Sequence, residues 1–170
     1  YGGSCLPKDA KALSAHGAAH GMPMPLLDAV IATNLAQPRR MLDLLHRHFP
    51  SLAGVRVALL GLAFKEDTDD MRESPAIALS QLLLERGAQV LGYDPIARET
   101  ARAALPAQVQ LVDSLAEAVS DADALLLVTR WTQFRQLPAL LAGMKTPPVL
   151  VDGRRVIEPS TVPRYEGIGA

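Results

Sequence analysis

The stretch Tyr1-Gly2-Gly3-Ser4-Cys5-Leu6-Pro7-Lys8-Asp9 places the chain's single cysteine between a glycine turn and a Lys-Asp pair. A thiolate adds readily to a carbonyl carbon, and it forms when a cation or free backbone N–H groups lie beside the thiol. Gly2 and Gly3 let the backbone come close to a bound molecule, and Lys8 supplies positive charge. Asp9 could handle a proton, or it could cap a helix beginning at Ala10. The competing reading of Cys5 is an inert thiol packed in a core. A glycine turn with polar neighbours argues against that. One cysteine excludes an internal disulfide and a zinc site built on cysteines. His16 and His20 have helical i, i+4 spacing without a nearby carboxylate, and read as surface residues rather than metal ligands.

A second set of chemically useful residues lies further on. Lys65 and Arg72 fall in FKEDTDDMRESP, Arg130 in TRWTQFR, and Arg154 in DGRR. Each of these polar stretches follows a short apolar run. In a sheet of parallel strands such positions are the carboxyl ends, where ligands bind. Clustered cations in a chain of near-zero net charge point to an anionic ligand; solvated loop arginines are the plainer alternative. Gly61-Leu62-Ala63-Phe64-Lys65 carries one glycine where a dinucleotide cradle needs three. A pyrophosphate lying directly on the following helix is therefore not expected.

The elements that must position these residues follow from the patterning. Asp9 to His20 reads as a short helix stopped by Gly21, Pro23 and Pro25. Leu26 to His48 reads as a longer one, with Leu27, Val30, Ile31, Met41, Leu42 and Leu45 forming an apolar stripe of helical period. Pro38 inside it predicts a kink or break near Gln37. From Gly54 the texture changes. Apolar runs at 55–61, 89–93, 109–112, 124–129 and 149–152 alternate with helical stretches at 74–86, 97–104, 115–119 and 137–141. Trp131 and Phe134 read as core anchors, and Asp67 to Asp70 as loop-shaping and capping residues. Strand and helix alternating through short connections predict an α/β fold, a Rossmann-like doubly wound parallel sheet. A helical arm over residues 1–51 precedes this domain, which covers residues 52–170. The chain opens in mid-loop without an initiator methionine, so it reads as a segment of a longer protein.

The 170 residues are 49% hydrophobic, enough for a substantial core. The 17 basic and 18 acidic residues nearly cancel, which gives no field to draw the chain to nucleic acid or to a membrane surface. No apolar run is long enough to span a bilayer. A reducing, cytoplasmic setting is the expectation.

Three segments together resemble one family, the UDP-glucose/GDP-mannose dehydrogenases. GGSCLPKD at 2–9 resembles its catalytic-cysteine loop, usually GGSCFPKD. GLAFKEDTDDMRESPA at 61–76 resembles GLAFKPxTDDxRESPA, and VDGRRVI at 151–157 resembles a DGRN-type strand end. Gly167-Ile168-Gly169 also resembles a common ending. The resemblance covers the C-terminal half of such enzymes: cysteine loop, helical dimerisation region and UDP-binding domain. It implies that an N-terminal NAD-binding domain is absent from this chain.

By that resemblance, the enzyme oxidises the C6 alcohol of a nucleotide sugar to a carboxylate with two NAD, through a cysteine thiohemiacetal and thioester. Cys5 is the implied nucleophile and Asp9 the implied water-activating acid. Tyr1, Gly2, Phe64, Lys65 and Arg154 match substrate-binding positions. Cys5, Lys8 and Arg72 match positions that meet NAD, with an ion pair to Asp69, Asp70 or Glu73 as the alternative role of Arg72. No metal is implied. Departures occur at Leu6 for Phe, Tyr1 for Phe, Glu66 for Pro and Arg130 for Glu. TRWTQFR favours UDP-glucose as substrate, with GDP-mannose as the alternative. The implied partner is a second copy of the chain, joined through Leu27 to Leu45. A nucleotide-sugar-binding module without redox chemistry and a dimerisation domain with a vestigial pocket are the competing readings. The cysteine loop discriminates against the first, and the retained Lys65, Arg72 and Arg154 against the second.

Overall fold

A computed structural model describes residues 1–169. Two helices open the chain: α1 (Leu6–Ala19) and α2 (Pro25–His46). Helix α1 starts earlier than the sequence reading placed it. Pro7 occupies its first turn, where a missing N–H costs nothing, and Cys5 is the N-cap. Asp9 is thus an acidic residue of the first turn and not the cap. The break expected near Gln37 does not occur. Helix α2 runs through Pro38, and its last turns are held by Met41, Leu42 and Leu45, all buried against the sheet.

The sheet has six parallel strands in the order β3-β2-β1-β4-β5-β6. They are β1 (Arg56–Leu60), β2 (Gln89–Tyr93), β3 (Gln110–Leu111), β4 (Ala124–Leu127), β5 (Val149–Asp152) and β6 (Tyr165–Gly167). Four further helices connect them: α3 (Pro75–Glu85), α4 (Arg98–Ala104), α5 (Leu115–Ser120) and α6 (Leu137–Ala142). The central strands are apolar on consecutive residues because both sheet faces are covered. Val57 and Leu59 of β1 enter the core layer under α2, α3 and α4. Ala58 and Leu60 enter the opposite layer under α5 and α6. Phe134, fully buried, and Trp131, 9% exposed, anchor that second layer.

The strand Val149–Asp152, expected to be last, is followed by β6, which pairs with β5 in parallel. The capping of α3 also differs from expectation. Ser74, not an aspartate of 67–70, accepts the Ala76 N–H as N-cap. A boundary at residue 51 falls within one continuous core, since Met41, Leu42 and Leu45 belong to the same cluster as Val57 and Leu79. The apolar stripe of α2 therefore divides. Its C-terminal half is consumed by the core, while Leu26, Val30 and Leu35 stay exposed. No helix among the described residues is long and apolar enough to cross a membrane.

Arg155 adopts φ 53, a left-handed conformation that costs a side-chain-bearing residue about 1 kcal/mol and that asparagine tolerates best. DGRN-type strand ends carry asparagine at this position. Arg155→Asn is expected to stabilise the chain by about 0.5–1 kcal/mol, read as a rise of roughly 1–4 °C in the thermal midpoint. A lower midpoint would show that the bonds from Arg155 to the Ile168 and Gly169 carbonyls outweigh the strain.

Candidate active site

A cleft of about 800 Å³ opens between the cysteine loop, α2, the amino end of α3 and the carboxyl ends of β4, β5 and β6. Of the candidate site residues, Tyr1, Lys8, Arg72 and Arg154 line it, as does Gly3 of the cysteine turn, whereas Cys5, Asp9 and Gly2 do not. The cysteine loop is fixed there by three contacts. The Gly3 N–H donates to the Arg72 carbonyl at 3.0 Å. The Asn34 side chain bridges the Tyr1 backbone, accepting from its nitrogen at 2.7 Å and donating to its carbonyl at 3.0 Å. Lys11 on α1 pairs with Glu73 at 3.0 Å. Asn34 escaped the sequence reading, because nothing in an apolar helix pattern marks a residue that bonds 33 positions back.

Cys5 is exposed. Its Sγ lies 3.6 Å from the Ser4 Oγ, and Ser4 lines the cleft beside it. The N-cap position sets the sulfur at the positive end of the α1 dipole. Asp9, also exposed, pairs with Lys8. That hydrogen bond raises the Lys8 ammonium above its ordinary value, with a smaller push from the charge on Cys5.

Gly2 and Gly3 were expected to let a ligand approach. Their missing side chains face the protein itself. A Cβ on Gly2 would stand 2.6 Å from the Glu73 carbonyl, and one on Gly3, at φ 84, would stand 2.7 Å from the Phe64 ring. The turn is thus clamped onto the loop after β1. Phe64 packs against it and Lys65 Nζ sits 5.6 Å over the Phe64 ring. Neither residue lines the cleft itself. The structure brings Tyr1, Lys8, Arg72 and Arg154 together and sets Phe64 and Lys65 behind the cysteine turn.

The three cations of the cleft differ in their pairing. Arg72 holds Asp70 through two bonds, Nε to Oδ1 at 2.9 Å and Nη2 to Oδ2 at 2.8 Å. This arrangement keeps the Asp70 carboxyl below its usual range and raises the guanidinium. Lys8 has Asp9. Among the described residues Arg154 has no carboxylate within ion-pair distance. Its Nε donates to the Val128 carbonyl at 2.6 Å, and its backbone N–H to Asp152 Oδ1 at 2.8 Å. Burial pushes the Arg154 guanidinium down, and neighbouring Arg130 adds to the effect. The charge on Glu66 opposes that shift only from beyond ion-pair distance, so the half-buried cation stays costly unless an anion completes it.

The corner of this sheet where a dinucleotide would lie does not fit one. Gly61 brings the chain close to Thr129, whose Cβ is 2.6 Å from where a Gly61 Cβ would be. Asp94, ending β2, is buried and accepts from five N–H groups: Leu62, Ala63, Ile96, Ala97 and the Trp131 indole. It has no lone pair to spare for a ribose hydroxyl. No cluster of three metal-ligating side chains occurs among the described residues.

Comparison with known proteins decides the family. Residues 58–159 match the UDP-glucose/GDP-mannose dehydrogenase family, UDP binding domain, and residues 1–36 match the central domain of the same family. The chain belongs to that family. A UDP-glucose 6-dehydrogenase of Haloferax volcanii is 47% identical over 157 residues, which are 92% of this chain and 36% of that protein. One of Pseudomonas aeruginosa is 41% identical over 181 residues, covering 99% of this chain and 40% of its own length. The chain thus spans about two fifths of the curated relatives it matches. Among solved structures, a UDP-glucose dehydrogenase from Pyrobaculum islandicum superposes with TM-score 0.88 at 38% identity, over 99% of this chain and 38% of that one. A GDP-mannose dehydrogenase from Pseudomonas aeruginosa gives 0.79 at 30%, over 100% and 40%. The two family segments meet across the cleft: Tyr1, Lys8 and Asn34 come from the first, Arg72 and Arg154 from the second.

Proposed function

We propose that this chain is the substrate-binding and nucleophile-bearing part of an NAD-dependent UDP-glucose 6-dehydrogenase. The observation that carries the reading is the unpaired, half-buried Arg154 in the same cleft as the exposed cysteine's loop. A nucleotide diphosphate supplies the anion that Arg154 lacks, and Tyr1 lines the sugar end. In this reading residues 1–51 form the cysteine loop and dimerisation region and residues 52–170 the UDP-sugar-binding domain. A second copy packs against the exposed half of α2. An exposed free thiol suits a reducing, cytoplasmic compartment.

When bound, NAD would supply the hydride acceptor for each of the two oxidations. The sheet described above has no place for its pyrophosphate, so the reading assigns NAD mainly to an N-terminal domain outside this chain. Lys8 and Arg72 are the residues here that would meet it. The chain's own chemistry is that of Cys5. Its sulfur adds to the C6 aldehyde and the carbonyl oxygen takes a proton, giving a thiohemiacetal. Once a hydride has left C6 and the hydroxyl proton has passed to solvent, the carbon is a thioester. Water activated by Asp9 cleaves it, releasing the carboxylate and returning the thiol.

Titrating the chain with UDP in a calorimeter is expected to show weak, saturable binding that GDP reproduces less well. Mixed with UDP-glucose and NAD, the isolated chain is expected to form no NADH, followed by absorbance. Preference for GDP would move the substrate to GDP-mannose, and NADH formation would overturn the division of labour.

A further inference from the structure

Five polar side chains among the described residues are buried: Ser74, Ser80, Asp94, Thr129 and Asp152. Four of them hold strand-end loops rather than the elements they belong to. Asp152 accepts the N–H groups of Arg154, Val156 and Ile157. The other three converge on two peptide units, Leu62 and Ala63, just before Phe64 and Lys65. Asp94 Oδ2 accepts the Leu62 N–H at 2.7 Å and the Ala63 N–H at 3.2 Å. Ser74 Oγ donates to the Leu62 carbonyl at 2.5 Å, and Thr129 Oγ1 to the Ala63 carbonyl at 2.6 Å. Both peptide units are thus gripped on both sides by groups more than 30 or 60 residues away, or from the amino cap of α3.

We infer that Ser74, Asp94 and Thr129 are positioning residues that lock this loop, so that Phe64 backs the cysteine turn of the cleft in a single arrangement before any ligand arrives. The inference rests on the proposed binding of the nucleotide sugar in the cleft that this turn lines. The chemistry of the three groups explains why they are these types. Only a carboxylate can face five donors, since an amide turns an NH₂ toward some of them. A hydroxyl donates to a buried carbonyl with a short stem, and Gly61 gives Thr129 the room to do so. Ser74 links the lock to the next part of the site. The same oxygen that donates to Leu62 accepts the Ala76 N–H at the start of α3, and Ser74 itself lies two residues after Arg72. The lock therefore ties the loop carrying Lys65 to the turn carrying Arg72.

Ser80 supplies the control. It is as buried as the others, but its hydroxyl bonds only the Ile77 carbonyl of its own helix. The test compares Asp94→Asn, Thr129→Val, Thr129→Ser and Ser80→Ala in the 170-residue chain, by amide hydrogen exchange and by UDP calorimetry at a temperature where each is folded. Thr129→Val and Asp94→Asn are expected to speed exchange at Leu62, Ala63 and Phe64 and to weaken UDP binding by about tenfold. Thr129→Ser restores both, and Ser80→Ala changes neither, although it melts earlier. Thr129→Val keeps the shape of the side chain, so it carries the test if Asp94→Asn does not fold. Wild-type exchange at these amides in Thr129→Val overturns the lock. Faster exchange with unchanged UDP affinity overturns its positioning role. If the unaltered chain binds no UDP, the proposed substrate site falls and the exchange comparison still decides the lock.

Discussion

Cys5→Ser, introduced into a protein that joins this chain to the NAD-binding domain proposed above, is expected to slow carboxylate formation by about a thousandfold or more. UDP affinity should stay within about twofold, because the sulfur lies outside the anion-binding wall of the cleft. The physical reason is the second oxidation. An aldehyde has no hydride poised to leave until a nucleophile has added to its carbonyl, and a serine hydroxyl beside α1 is a far weaker nucleophile than a thiolate. The surroundings of Cys5 fit the task. It caps a 14-residue helix without a side-chain bond of its own, so backbone N–H groups of the first turn stay unsatisfied beside it, and Lys8 follows one turn later. Stopped-flow absorbance with UDP-glucose distinguishes the outcomes: a variant that still completes both oxidations at near wild-type rate removes Cys5 from the chemistry.

Arg154→Ala is expected to weaken UDP binding by about a hundredfold, equivalent to roughly 2.7 kcal/mol, within the range for a hydrogen bond to a charged partner in a partly desolvated setting. Arg154→Lys should recover only part of that. The Nε bond to the Val128 carbonyl orients the guanidinium, and an ammonium on a flexible stem cannot make it while also spanning two phosphate oxygens. Calorimetry with UDP checks both variants. Equal affinities for wild type and Arg154→Ala would show that the cleft's anion lies elsewhere, against Arg72 or Lys8. Those two already have carboxylate partners, which is why the larger effect is assigned to Arg154.

Much of the architecture could be read from residues alone. Consecutive apolar runs between glycine and proline turns gave β2 and β5 to the residue, because a strand covered on both faces shows no alternation to misread. The strand β6 was invisible for the opposite reason. Tyr165-Glu166-Gly167 is short and half polar, and it exists because β5 offers it an open edge. The paired Glu166, held by Arg47 and His48 at the end of α2, helps to keep it there. Pro38 predicted a break that burial of Met41, Leu42 and Leu45 overrode.

At the cleft, the residue types of Arg72 and Arg154 and their places in loops after strands were legible. Their partners were not. Asp94 reads as the polar end of a strand, and nothing local reveals that its donors come from positions 62, 63, 96, 97 and 131. The glycines of the cysteine loop were legible as close-approach residues, but what approaches them, Glu73 and the Phe64 ring, depends on a loop more than 60 residues away.

The sheet ends on one side in a strand of two residues and on the other in a strand of three. Every central strand is longer and shielded between neighbours. A free border that short exposes too few backbone groups in line to template a foreign strand, so the molecule resists growing into a continuous ribbon despite its apolar interior. The self-association proposed above would fall to the helices, where contacts are made by side chains and can stop at a defined number of copies.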